Sequence, residues 1–292
     1  MSTIRRVLFP IDFSLGCQIL APTVRMMIEL WHAEVTLLHV IEDRNWRGRY
    51  HDLERPMAQM EAIAQDAIYA PRVRRRIERG SAAGCILQYI RLNHIDLVVI
   101  PARGSTALHR SPLGSVADEI LKEAPCPVWL DWGAARSSLT PGMQARRVCC
   151  ALELGESDEH VLHEAAAFTM NLGASLTVVH AVSPMPGRPL ALLRDGDVRQ
   201  REFGSIERHI ERLRRRYAPS ADVKIEVGSS ETVVSRTIRA QSAGLLVTGH
   251  FLEAIMAARS ECPVLRLAPP ASSAVPLMEP EPRYADAAQR SA

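Results

Sequence analysis

The chain repeats itself. RRVLFPIDFS, from Arg5 to Ser14, is echoed by RRVCCALELG, from Arg146 to Gly155, an offset of 141 residues (5 to 146). The same offset relates EVTLLHV (Glu34 to Val40) to SLTVVHA (Ser175 to Ala181), and with it His39 to His180. RIERGS from Arg76 then matches KIEVGS from Lys224, and DLVVIP from Asp96 matches GLLVTG from Gly244, both at 148 (76 to 224). CPVWL at Cys126 matches CPVLRL at Cys262 at only 136 (126 to 262), so the second copy lacks about a dozen residues ahead of its last strand. A repeat of this length can bury its own core, so the chain folds twice into one small unit. The expected division is 1–132, a Gly/Pro/Ser-containing connector over 133–145, 146–268, and a tail over 269–292. That tail is rich in Pro, Ala, Ser and charge and lacks apolar periodicity, which predicts disorder.

Within each copy, short β-branched runs alternate with longer amphipathic stretches. This is the pattern of an α/β fold: a doubly wound parallel sheet of five strands flanked by helices, occurring here twice in tandem. In the first copy the strands are expected near Val7 to Ile11, Val35 to Val40, Val73 to Glu78, Leu97 to Ile100 and Val128 to Leu130. Ser115, with Asp118 three residues later, resembles a capping box opening a helix. Sheets of this kind bind ligands beyond the carboxyl ends of their strands, where strand order reverses.

Composition removes several alternatives. A formal net charge of +2 supplies no strong field, so no nucleic-acid partner is expected. The clusters Arg72, Arg74, Arg75, Arg76 and Arg212, Arg214, Arg215, Arg216 read as solvated, ion-paired surface at helix ends. Lys122 and Lys224 are the only lysines and neither follows a glycine, so no P-loop is present. Six cysteines without C-x-x-C spacing predict buried thiols in a reducing compartment and no metal site. No signal peptide and no apolar run of spanning length is visible, so the expected location is cytoplasmic, away from membranes.

The chemistry-bearing segment follows the fourth strand of the first copy and reads PARGSTALHRSPLGS, Pro101 to Ser115. Gly104, Gly114 and Ser115 suit a phosphate cradle, because glycine lets the backbone approach a ligand and a helix start offers free N–H groups. They equally suit a plain turn and helix cap. Asp12, at the end of the first strand, could contact a ligand or could cap the next helix with Ser14. His39 and His180 are expected as core histidines held by backbone, since neither has a carboxylate partner or metal-ligand spacing nearby. His109 and Arg110 read as a solvated loop tip.

PIDFS after the first strand, LLHV in the second, DLVVI in the fourth, a Gly-Ser helix start and then PCPVWL together resemble the universal stress protein family, over both copies from about Arg5 to Leu267. ATP-binding members carry G-x2-G-x9-G-[ST] in this loop. Gly104, Gly114 and Ser115 match it, and Pro101 stands where the first glycine belongs. The resemblance implies a first-copy site for ATP, with magnesium, or for another adenine nucleotide: Asp12 on the ribose or adenine, the Val40 backbone on adenine, and Ser115 and Val116 on phosphates. Arg103 stands where a histidine is common and adds positive charge. Pro101 removes a donor and puts a ring where adenine would approach. Asp12 is matched by Glu153 in the second copy, which lacks the Gly-Ser loop, so no nucleotide is expected there.

The implied role is stress-response signalling through a protein partner that the sequence does not name, with slow ATP hydrolysis as the only activity to consider. The alternative is an interaction scaffold with both nucleotide sites lost. An adenylating enzyme of the related adenine-nucleotide α-hydrolase fold is disfavoured, because DFSLG after the first strand holds one glycine where such enzymes carry a Ser-Gly-Gly-type loop. The fifth strands are expected at sheet edges, free to pair with each other inside one chain or between two chains.

Overall fold

Aliphatic runs buried on both faces set the strands, and the residues that alternate along each run divide between two apolar layers. In the computed structural model, residues 4–42, 51–68, 73–104, 113–133, 147–182, 196–249, 255–256 and 262–268 are described. The first half runs β1 (Arg6–Pro10), α1 (Leu15–Trp31), β2 (Glu34–Ile41), α2 (His51–Ala62), β3 (Val73–Arg79), α3 (Ala82–Asn93), β4 (Leu97–Pro101), α4 (Ser115–Glu123) and β5 (Val128–Asp131). The second half runs β6 (Arg147–Ala151), α5 (Asp158–Asn171), β7 (Ser175–Val182), α6 (Gly196–Tyr217), β8 (Asp222–Val227), α7 (Ser230–Gln241), β9 (Leu245–Thr248) and β10 (Val264–Arg266). All five strands anticipated in the first copy are present, each within about a residue of its expected ends. Of the expected connector over 133–145 only Gly133 is described, and the expected tail over 269–292 lies outside the described residues, as do His109, Arg110 and most of the shortened second loop.

Each half forms a parallel sheet, and the two sheets are one. The strand order is β3-β2-β1-β4-β5-β10-β9-β6-β7-β8. β5 and β10 pair antiparallel, Val264 with Leu130, Leu265 with Trp129 and Arg266 with Val128, while every other neighbouring pair is parallel. Of the two arrangements open to the fifth strands, this chain adopts the intrachain one. The reversal of strand order falls between β1 and β4 in the first half and between β6 and β9 in the second.

Both apolar layers cross this junction. Val7 and Phe9 of β1 and Trp129 of β5 pack in one layer with Cys150, Phe168 and Leu265 of the second half. Leu8, Leu130 and Ile120 pack in the other with Cys149, Leu246 and Val264. Phe168 on α5 touches first-half rings on two sides, with centroids 5.6 Å from Trp31 and 6.4 Å from Trp129. The Trp129 indole N–H is buried without an acceptor, so this side chain is kept for its volume.

Local devices recur at repeat-related positions. Phe13 and Leu154, one residue past the ends of the Asp12 and Glu153 turns, both have positive φ (60° and 65°). The helix-ending pair His94 and Ser242 also adopts the left-handed conformation. His39 Nδ1 lies 2.8 Å from the Ile11 carbonyl and His180 Nδ1 2.9 Å from that of Leu152, so both rings tie the second strand of their half to the end of the first. They are the backbone-held histidines expected from the sequence.

Two expectations need correction. The α4 cap residue is Gly114, with no side-chain cap, and Ser115 is the first helical residue, so Ser115 and Asp118 form no capping box. Asp118 instead pairs with Lys122 at 2.7 Å. Arg74, Arg75 and Arg76 of the first arginine cluster sit on the edge strand β3 rather than at a helix end, and Arg72 lies outside the described residues. Arg74 pairs with Glu34 at 2.7 Å and Arg75 with Glu61 at 2.8 Å, which blunts that edge with charge. The second cluster does end a helix, where Arg214 and Arg215 share Glu211 and pull its carboxyl down to about 2.

Because both layers are continuous, the halves should unfold together. Trp129→Ala is expected to cost about 3–5 kcal/mol and to leave a single transition, read by urea unfolding followed in both near- and far-ultraviolet dichroism.

Candidate functional site

The first-half site assembles where β1 and β4 diverge. Asp12 leaves the end of β1 half-buried, and its Oδ1 accepts from the Ser14 N–H (3.0 Å) and the Cys17 thiol (3.2 Å). Ser14 Oγ in turn accepts from the Cys17 N–H at 3.4 Å and caps α1. Ser14 is thus the cap of α1, and Asp12 supports it by accepting from the Ser14 N–H rather than from a helical N–H. Burial, and then the Asp12 charge, push the Cys17 thiol up to about 12, so it stays protonated as the donor.

Past β4 the chain doubles back on itself. The Gly114 N–H donates to the Ala102 carbonyl (2.8 Å), and the Ala102 N–H donates to the Asp131 carbonyl (2.7 Å). A methyl group on Gly114 would lie 3.6–3.8 Å from the Ala102 to Gly104 backbone, and one on Gly104 would lie 2.5 Å from Asp12 Oδ2. Gly104 is thus held against the Asp12 carboxylate, and a side chain at this position would displace that carboxylate. Arg103 and Gly104 are exposed beside it. Four of the sequence-nominated residues, Asp12, Arg103, Gly104 and Gly114, meet in this way. Ser115 is exposed in the first turn of α4 and Val116 half-buried behind it. The cap residue Gly114 makes no side-chain bond to that turn, whose N–H groups lie at the positive end of the helix dipole. Val40 stands half-buried near the end of β2, in register with Glu78 of β3. No group of acidic, cysteine and histidine side chains suited to a metal occurs among the described residues.

Pro101 ends β4 with its ring turned onto the start of α1. A methyl group on Gly16 would meet Pro101 Cβ at 2.9 Å and the Arg103 carbonyl at 3.0 Å. Gly16 is what makes room for the proline, and sequence reading passed over it because its partner lies 85 residues away (16 to 101). In the second half the same contact is reversed: Ser157 occupies the Gly16 position and Gly249 that of Pro101, where an added methyl group would lie 3.7 Å from the Ser157 hydroxyl.

The acid has also moved. Glu153, matched to Asp12, is exposed, whereas Asp158, matched to Cys17, is buried and accepts from the Glu153 N–H at 3.3 Å. Burial raises the Asp158 carboxyl, partly offset by hydrogen bonds from the Glu153, Gly155 and Leu154 backbone, and its Oδ2 has no partner. The second-half position that matches Gly104 lies outside the described residues.

Gly16→Ala should destabilise the protein by about 1–3 kcal/mol, and adding Pro101→Gly should recover part of that loss in a double-mutant cycle of urea unfolding. A raised folded-state value means that Asp158 stabilises most fully below its ordinary 3.8 and loses that contribution as pH rises. The stability of the wild type relative to Asp158→Asn is therefore expected to fall as pH rises above about 4, measured by the same method.

Comparison with known proteins agrees with this architecture. No curated protein sequence matches the chain. In solved structures, a functionally unknown protein from Pseudomonas aeruginosa PAO1 superposes with a TM-score of 0.62 at 16% identity, over 91% of this chain and 93% of that one. A universal stress protein from Archaeoglobus fulgidus DSM 4304 gives 0.61 at 16% identity, over 92% and 98%. These are likenesses of fold. The universal stress protein family model matches residues 3–130 and again 144–251, which is most of both halves. The chain belongs to the universal stress protein family, with two copies of its domain in tandem.

Proposed function

We propose that this protein is a cytoplasmic stress-response component whose first half binds ATP with magnesium, or another adenine nucleotide, and which acts through a protein partner rather than by turning over a metabolite. The observation that carries the reading is the start of α4 at Gly114, without a side-chain cap and held by backbone against Ala102 to Gly104 at the β1/β4 reversal, where Gly104 lies against Asp12. Phosphates would lie on the Ser115 and Val116 N–H groups, with Arg103 adding charge. Asp12 would meet the ribose or adenine and the Val40 backbone the adenine edge. Because the Pro101 ring packs on Gly16, its main effect on a nucleotide is the missing N–H donor.

The second half is read as a non-binding partner, since Glu153 is exposed and Asp158 is committed to its own turn. An interaction scaffold without nucleotide is the competing reading, and the lost donor at Pro101 is what favours it.

Isothermal titration with ATP and magnesium separates the two, run beside a Gly114→Asp, Ser115→Asp variant whose carboxylates repel phosphate. Saturable binding near one nucleotide per chain, abolished in the variant, is the expected outcome. Absence of heat from wild type that also carries no co-purified nucleotide would leave the scaffold.

A further inference from the structure

Arg266 is a cation sealed inside the junction between the halves. It lies on β10, is 1% exposed, and is among the largest fully buried side chains. Its Nη2 donates to the Ala124 carbonyl at 3.1 Å and the Ile120 carbonyl at 3.4 Å, and its Nη1 to the Leu267 carbonyl at 3.4 Å. Ile120 lies in the last turn of α4 and Ala124 is its C-cap. A second-half guanidinium therefore closes the carboxyl end of a first-half helix, where the dipole is negative: the Ile120 carbonyl also accepts from the Ala124 N–H at 3.0 Å, and the Ala124 carbonyl accepts from Arg266. Burial draws the guanidinium down to about 10, so it remains charged at neutral pH.

The arrangement is one-sided. The repeat places Leu130 opposite Arg266, and Leu130 is an ordinary apolar core residue. The cation is thus directed at α4, the helix whose other end is the cradle at Gly114, Ser115 and Val116. A charge kept in an apolar junction without a carboxylate among its partners in the described residues carries a desolvation cost that shape alone does not require, because the repeat fills the matching place with leucine.

We propose that Arg266 is a positioning residue for the first-half site: the second half, through this one side chain, holds α4 by its carboxyl end and so sets the placement of the N–H groups at its amino end. The proposal rests on the nucleotide reading above for its functional consequence, and on the contacts to Ile120 and Ala124 for its structural one. It also gives the second half a task that needs no site of its own.

The test compares the full-length wild type with Arg266→Met, which keeps length and removes charge, and Arg266→Lys, which keeps charge and loses the fork. ATP with magnesium is titrated calorimetrically, and amide exchange across α4 is followed without nucleotide. Arg266→Met is expected to bind ATP about fivefold or more weakly, with faster exchange at Leu121 to Ala124, and Arg266→Lys to recover part of both. Wild-type affinity together with unchanged α4 exchange in a folded Arg266→Met would overturn the proposal, as would faster exchange spread evenly over both halves. If the wild type binds no ATP, the nucleotide reading fails by itself, and α4 exchange still decides whether Arg266 holds the helix. Should Arg266→Met not fold, Arg266→Lys supplies both readouts: an unchanged α4 and affinity there mean that the charge suffices, whereas slackened α4 exchange with wild-type affinity removes the positioning role.

Discussion

The antiparallel ladder between β5 and β10 is the constraint on which the rest of this structure depends. Each strand alone would present a row of unpaired N–H and C=O groups at a sheet edge, and that edge would have to be covered by water, charge or another chain. Here each edge covers the other. Pairing Leu265 with Trp129 aligns the two sheets closely enough for both apolar layers to run through, so that Phe168 packs on Trp31 and Trp129 from the opposite half. The same ladder brings Arg266 beneath the carboxyl end of α4. The remaining edges are β3 and β8, and on β3 the ion pairs of Arg74 and Arg75 discourage further strand addition.

Around this junction the two halves share a skeleton and differ in chemistry. The left-handed residues Phe13 and Leu154, the histidine bridges from β2 and β7, and the helix ends at His94 and Ser242 survive in both, because each solves a backbone problem that both halves have. The side chains at the sheet reversal diverge in compensating pairs. A glycine faces a proline in the first half and a serine faces a glycine in the second. An acid at the strand end with a thiol in the helix becomes an exposed glutamate with a buried acid in the helix. The first arrangement leaves a carboxylate against an open glycine turn, and the second spends the carboxylate on the turn.

In the proposed reading a nucleotide lies in the first half and the second half plays a supporting part. The physics of that support is ordinary: a helix held at its carboxyl end by a buried cation has less freedom to shift at its amino end. Loss of the second loop then costs the protein no necessary site, provided that β10 still delivers Arg266.

By itself the sequence determined the repeat, the α/β class, the positions of the first-half strands, the backbone-held histidines and the residues that meet around Asp12. Each of these is written in local periodicity or in short motifs, where backbone geometry acts over a few residues. Even there a local rule misled at Ser115, since the glycine before it took the cap and left the helix start open. Tertiary structure alone decided that the fifth strands pair within the chain, that Gly16 accommodates Pro101, and that Arg266 closes α4 from 142 and 146 residues away. Those contacts join segments that carry no sign of one another in sequence, and only the closing of the shared sheet makes them neighbours.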